Sequence, residues 1–150
     1  MFDEVLGLPA HPLIIHFAVV LTPLLAAVSV VYALVPRWRE LLAWAVVALA
    51  VAAPLAVFAA RQSGLNLRQS PRMAGVGGAQ AERIATHQSF ATPLLISVIA
   101  LGVAALLLVF AARNRTAGLV LGGLTIVLAA VAAYYVFRAG DSGARAVWSL

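Results

Sequence analysis

Four long apolar runs divide the chain. Residues 13–35, 41–60, 90–112 and 117–137 hold no Lys, Arg, Asp or Glu. Each is about 20 residues or longer, the length at which a helix crosses a hydrocarbon core about 30 Å thick. Polar positions gather between them: VPRWRE at 35–40, RNRT at 113–116, and a long connection over 61–86. The two short links force antiparallel neighbours. The pattern therefore predicts an all-α polytopic membrane protein, a four-transmembrane-helix bundle made of two helical hairpins, as one domain over 1–150. The long connection begins polar and glycine-rich (RQSGLNLRQSPRMAGVGG, 61–78) and reads as loop; AQAERIATHQSF (79–90) is helix-permissive, so the third helix starts outside the bilayer.

Composition sharpens this and removes other classes. Of 150 residues 64% are hydrophobic and 10% charged, far from the soluble balance of about half apolar and a quarter charged. Net charge +5 and a pI near 11.1 could suggest a nucleic-acid partner. The basic residues are all Arg, however, and sit at or beyond the ends of the spans, where a charge avoids the cost of mid-membrane burial. No nucleic-acid partner is expected. Cysteine is absent, which excludes disulfides and thiolate metal sites. Asp3 and Glu4 stand where a cleavable signal would carry basic residues, so the first span is expected to be retained. The same two acids before the first span, with Arg37 and Arg39 after it, favour an extracellular N-terminus in a multi-pass cell-membrane protein. Arg61, Arg68, Arg72 and Arg83 pull the other way.

Candidate chemistry lies with three histidines. Spans one and three run in the same direction, so His11, His16 and His87 fall on one side of the membrane, with Arg61, Glu82, Arg138, Asp141 and Ser142 at that level. An ionisable group inside a span is a site hypothesis, with its partner facing the bundle interior. The hairpins also read as a weak repeat: His16, LTPLL (21–25), RWR (37–39) and RQSG (61–64) against His87, ATPLL (91–95), RNR (113–115) and RAGDSG (138–143). On that alignment His16 and His87 are equivalent, six and five residues before their Thr-Pro pairs. Two imidazoles at one depth in a four-helix bundle suit the two axial positions of a low-spin haem. Arg61 and Arg138 would pair with the propionates, and Asp141 or Glu82 would accept the second imidazole N–H. The same groups, with His11 as a third ligand, could instead hold a transition metal ion. The blandest alternative is a structural subunit whose histidines only hydrogen-bond. His11, ahead of Pro12, reads equally as a residue of the headgroup zone. His11 and His16, five apart, diverge on a continuous helix.

LPAHPLIIHF at 8–17, His87 ahead of the third span and GDSGARAVW at 140–148 resemble a bacterial family of small four-span membrane proteins, domain of unknown function 2231. Members look like HP-x-x-x-HF-P near the start and G-[HD]-SG-A near the end. Here Ala18 replaces the proline and Asp141 stands where many members carry histidine, which weakens a model that uses a ligand at that position, although Asp141 remains a candidate in the metal alternative. The resemblance covers nearly the whole chain. It implies a four-span fold, weight on His11, His16 and His87, and an electron-transfer context, since similar members are fused to Rieske or cytochrome-like domains. The expected function is a membrane-embedded b-type haem protein, ligated by His16 and His87, acting as electron carrier or redox anchor subunit rather than as an enzyme. Its expected partners are the lipid bilayer, redox proteins and a second copy of itself.

Overall fold

In the computed structural model, which describes residues 4–5, 8–111 and 114–148, four long helices follow a two-residue antiparallel pair, β1 (Glu4–Val5) and β2 (Leu8–Pro9). The helices are α1 (Ala10–Leu34), α2 (Arg39–Gln69), α3 (Gly78–Ala111) and α4 (Arg115–Val147). All four are long and apolar enough to cross a membrane. Asp3, Ala112 and Arg113 lie outside the described residues.

The long connection expected over 61–86 is mostly helix. α2 runs on to Gln69, α3 begins at Gly78, and only residues 70–77 link them. RQSGLNLRQ reads as loop because of its polarity and Gly64. Arg, Gln and Leu are nonetheless good helix formers, and one glycine costs a helix only about 1 kcal/mol relative to alanine. The link contains Pro71–Met73 as a 3-10 turn, and Gly75 at φ 93° supplies a left-handed conformation that suits glycine.

At the other end the α1–α2 turn is tight. Pro36–Trp38 forms a 3-10 turn, and Arg39 donates from Nε to the Tyr32 carbonyl at 3.1 Å and from Nη2 to the Ala33 carbonyl at 3.3 Å. It thereby satisfies carbonyls that the end of α1 leaves unpaired. Asn114 caps α4, its Oδ1 accepting from the Ala117 amide at 3.1 Å.

Packing follows a ring. Each helix lies against its two neighbours, α1–α2–α3–α4 and back to α1, and α1 also touches α3 across the middle. The interior is built largely from small residues, so backbones approach closely: a Cβ on Gly102 of α3 would stand 2.8 Å from the Ala50 carbonyl oxygen of α2. Bulk faces outward instead, with Phe17, Trp44, Phe110, Leu119 and Phe137 all exposed. Such an apolar exterior around a small-residue core belongs in lipid.

The buried positions reveal the internal repeat in its true register. Ala18, Thr22, Leu25, Ala26, Ser29 and Tyr32 of α1 are buried, and so, 76 positions on, are Leu94, Val98, Leu101, Gly102, Ala105 and Leu108 of α3. Val46, Ala50, Ala53 and Val57 of α2 are matched 79 positions on by Thr125, Ala129, Ala132 and Val136 of α4. Among the described residues, every buried one of the first hairpin thus has a buried counterpart in the second. The Thr-Pro pairs do not correspond, since Thr22 is matched by Val98. In this register His87 is the counterpart of His11, which corrects the equivalence with His16.

Length fixes where the polar layer lies. At 1.5 Å per residue α2, α3 and α4 are roughly 46–51 Å long, well beyond a hydrocarbon core of about 30 Å. The uncharged runs 13–35, 41–60, 90–112 and 117–137 lie toward the turn end of the bundle. The surplus length therefore projects on the side of His11 and His87.

Candidate functional site

The two equivalent histidines occupy equivalent seats. His11, at the start of α1, brings Nδ1 to 2.8 Å from the Ser63 hydroxyl of α2 and also hydrogen-bonds the backbone of Ala60. His87, in the extended part of α3, brings Nδ1 to 3.0 Å from the Ala139 carbonyl and 3.2 Å from the Ser142 hydroxyl of α4. Each serine donates to the same carbonyl that serves its histidine, Ser63 to Ala60 at 2.9 Å and Ser142 to Ala139 at 3.1 Å. The Ala139 carbonyl can only accept, so Nδ1 of His87 carries the proton; Ser63, donating to Ala60, accepts from His11 Nδ1 when that ring takes the same tautomer. In the neutral imidazole this leaves Nε2 with a bare lone pair.

A glycine makes room under each ring. A Cβ on Gly64 would stand 2.9 Å from His11 Cε1, and one on Gly143 would stand 3.0 Å from His87 Cε1. The Ser-Gly pairs at 63–64 and 142–143 are thus one device used twice: the hydroxyl holds Nδ1 while the missing side chain lets the ring lie against the helix backbone.

Both rings are half-buried. Burial, foremost, holds the His11 pKa below 6.5; the neighbouring His87 charge pushes it the same way, and the Ala60 hydrogen bond opposes. The pair comes from the two helices that meet across the centre of the ring.

His16 is not part of it. Five residues after His11, it points about 140° further around α1 at 100° per residue, and its side chain is exposed on the outer surface of the bundle. The seat geometry expected to relate His16 and His87 is instead shared by His11 and His87. The tautomer-fixing acceptor expected of Asp141 or Glu82 is likewise supplied by a helix carbonyl and a serine. Asp141 instead takes Arg145 Nε at 3.0 Å, and Glu82 is exposed. Among the described residues no three of His, Asp and Glu gather as a group that could hold a metal ion, so the expected His11, His16, His87 and Asp141 cluster does not form.

Arg61 and Arg138 lie at the histidine level with different surroundings. Arg61 donates from Nε to Thr92 Oγ1 of α3 at 3.2 Å and from Nη1 to Gln62 Oε1 at 3.1 Å. Arg138 stacks its guanidinium over the Phe90 ring, 5.0 Å from the centroid, on the outer side of α3 and α4.

Sequence reasoning missed Ser63, Gly64 and Gly143 as parts of the site. The signal was present: RWR and RNR are 76 positions apart, the same offset as His11 and His87, and the polar end of each second helix carries a Ser-Gly pair.

Four membrane-crossing helices in two repeated hairpins, with one histidine seat in each, define a multi-pass membrane bundle with a duplicated polar end. Residues 7–150 match the family model described as predicted membrane protein DUF2231, and the chain belongs to that family. Neither the curated proteins nor the solved structures contain a match to it.

Proposed function

We propose that the protein is a b-type haem protein of the cell membrane, an electron carrier or redox anchor subunit, in which His11 and His87 are the axial ligands. One observation carries this reading: both rings seat Nδ1 against the helix behind them, which leaves the two Nε2 atoms as the free chemistry of the site. An N–H fixed by a carbonyl is what orients a metal-ligating imidazole and raises its basicity. Two imidazoles suffice for a haem, because the macrocycle supplies the other four nitrogens. A bare zinc ion would need four ligands and be left short. Haem when bound would supply one-electron redox chemistry; the protein's part is to hold two neutral imidazoles and a low-dielectric wall. Arg61, tied to α3 at the same level, is the basic group for a propionate. The histidine end faces the extracellular side, where redox partner proteins dock.

The test is optical. Protein purified from haem-supplied cells is expected to show a redox-sensitive Soret band that His11→Ala and His87→Ala abolish and His16→Ala leaves intact. A colourless wild type rejects the haem reading, and a band that survives loss of His11 rejects the ligand pair.

A further inference from the structure

The repeat also shows where the halves differ. Between the projecting ends of α3 and α4 lies a groove of about 330 Å³ lined by Thr86, Phe90, Arg138, Asp141, Ser142 and Arg145. In the first hairpin the matching positions of Phe90, Arg138, Asp141 and Arg145 are Ile14, Ala59, Gln62 and Asn66, all uncharged, although the histidine seat is the same. The charged groove is therefore not required to seat a histidine.

Its chemistry suits a phosphate ester. Stacking on Phe90 at 5.0 Å orients Arg138 through the face of the guanidinium and engages none of its N–H groups. Arg145 meets Asp141 through Nε, at 3.1 and 3.0 Å from the two carboxylate oxygens, and this pair leaves its two terminal nitrogens uncommitted. With Asp141 offsetting one arginine, the lining keeps one net positive charge, matching the single negative charge of a phosphodiester. The planar donor fork of arginine fits phosphate oxygens.

Depth selects the source. Phe90 opens the third apolar run and Phe137 closes the fourth, so Arg138 stands at the hydrocarbon boundary and Arg145, about 10 Å further along α4, reaches the headgroup layer that holds phospholipid phosphates. Exposed Phe137, 71% accessible, gives acyl chains an apolar wall beside it. We infer that the α3–α4 groove binds the phosphate of an anionic membrane phospholipid through Arg138 and Arg145.

The experiment reads lipid retention, not colour, and so stands apart from the haem question. Native mass spectrometry of the detergent-solubilised full chain, with phosphatidylglycerol or phosphatidylcholine added, is expected to show a preference of about tenfold for the anionic lipid. Arg138→Gln and Arg145→Gln should each remove most of that preference, while Arg68→Gln, an exposed arginine outside the groove, should keep it. Equal retention of the two lipids, or a wild-type preference in Arg138→Gln, overturns the proposal. Full displacement of phosphatidylglycerol by millimolar inorganic phosphate overturns the lipid assignment, because the groove would then be reading free phosphate.

Discussion

His87 lies on Gly143: its Cε1 is 3.0 Å from the point where a side chain on that glycine would begin, while its Nδ1 is held 3.0 Å from the Ala139 carbonyl one turn earlier. The ring is pinned along one edge and pressed along another, so it has little room to yield. His11 meets Gly64 in the same way. Glycine inside a helix is unfavourable by roughly 0.5–1 kcal/mol relative to alanine, and here its small size is what the seat requires.

Gly143→Ala and Gly64→Ala should therefore destabilise the protein by about 1–3 kcal/mol through overpacking, despite the better helix propensity of alanine. Gly140→Ala, where a Cβ meets nothing within 4 Å, should be neutral or stabilising by a few tenths to about 1 kcal/mol. Thermal unfolding in detergent followed by circular dichroism checks the contrast; equal effects at positions 140 and 143 would contradict it.

Acid should loosen the histidine end. The folded-state pKa of His11 is below the 6.5 of an unrestrained imidazole, so the unfolded chain takes up the proton first as pH falls. The contribution of this group is complete above pH 6.5, shrinks as pH drops from there to the folded-state value, and is then level. A melting series across that window should show the decline in wild type and less of it in His11→Gln. A wild type whose stability rises on acidification through pH 6.5 would reverse the sign.

The α2–α3 contact is less forgiving, because the neighbour is backbone. With a Cβ at 2.8 Å from the Ala50 carbonyl oxygen, Gly102→Ala should cost about 1–3 kcal/mol, and Gly102→Val more. Gly123→Ala, on α4 with nothing within 4 Å, serves as the control in the same unfolding assay.

Topology can be read in cells. Four spans return the chain to the side from which it started, so reporters at the two termini should agree. An extracellular histidine end predicts active alkaline phosphatase fused after residue 150 and a dark green fluorescent protein at the same place. The opposite pair of results would turn the molecule over.

The spans were legible because hydrocarbon tolerates so few alternatives: runs free of charge and about 20 residues long leave one structural solution each. The helical extension through Arg61–Gln69 was hidden by its polarity, which marks exit from the bilayer as readily as exit from the helix. The site was half legible. His11 and His87 were both named as candidates, and so was the existence of a repeat, but matching Thr22-Pro23 to Thr92-Pro93 slid the register and put His16 ahead of His11 as the counterpart of His87. Those prolines occupy inequivalent turns, whereas the burial period, visible only once the helices pack, pairs His87 with His11. The carbonyls that orient both rings belong to alanines, whose side chains announce nothing in a sequence.

Each hairpin carries half of the central pair, complete with its own serine and glycine, and residues 70–77 do little more than join them. Severed within that joint, the two pieces would still hold matching surfaces, so co-produced fragments could reassemble much as two subunits do. The chain behaves, in architectural terms, as a dimer whose protomers have been tied together and then allowed to differ.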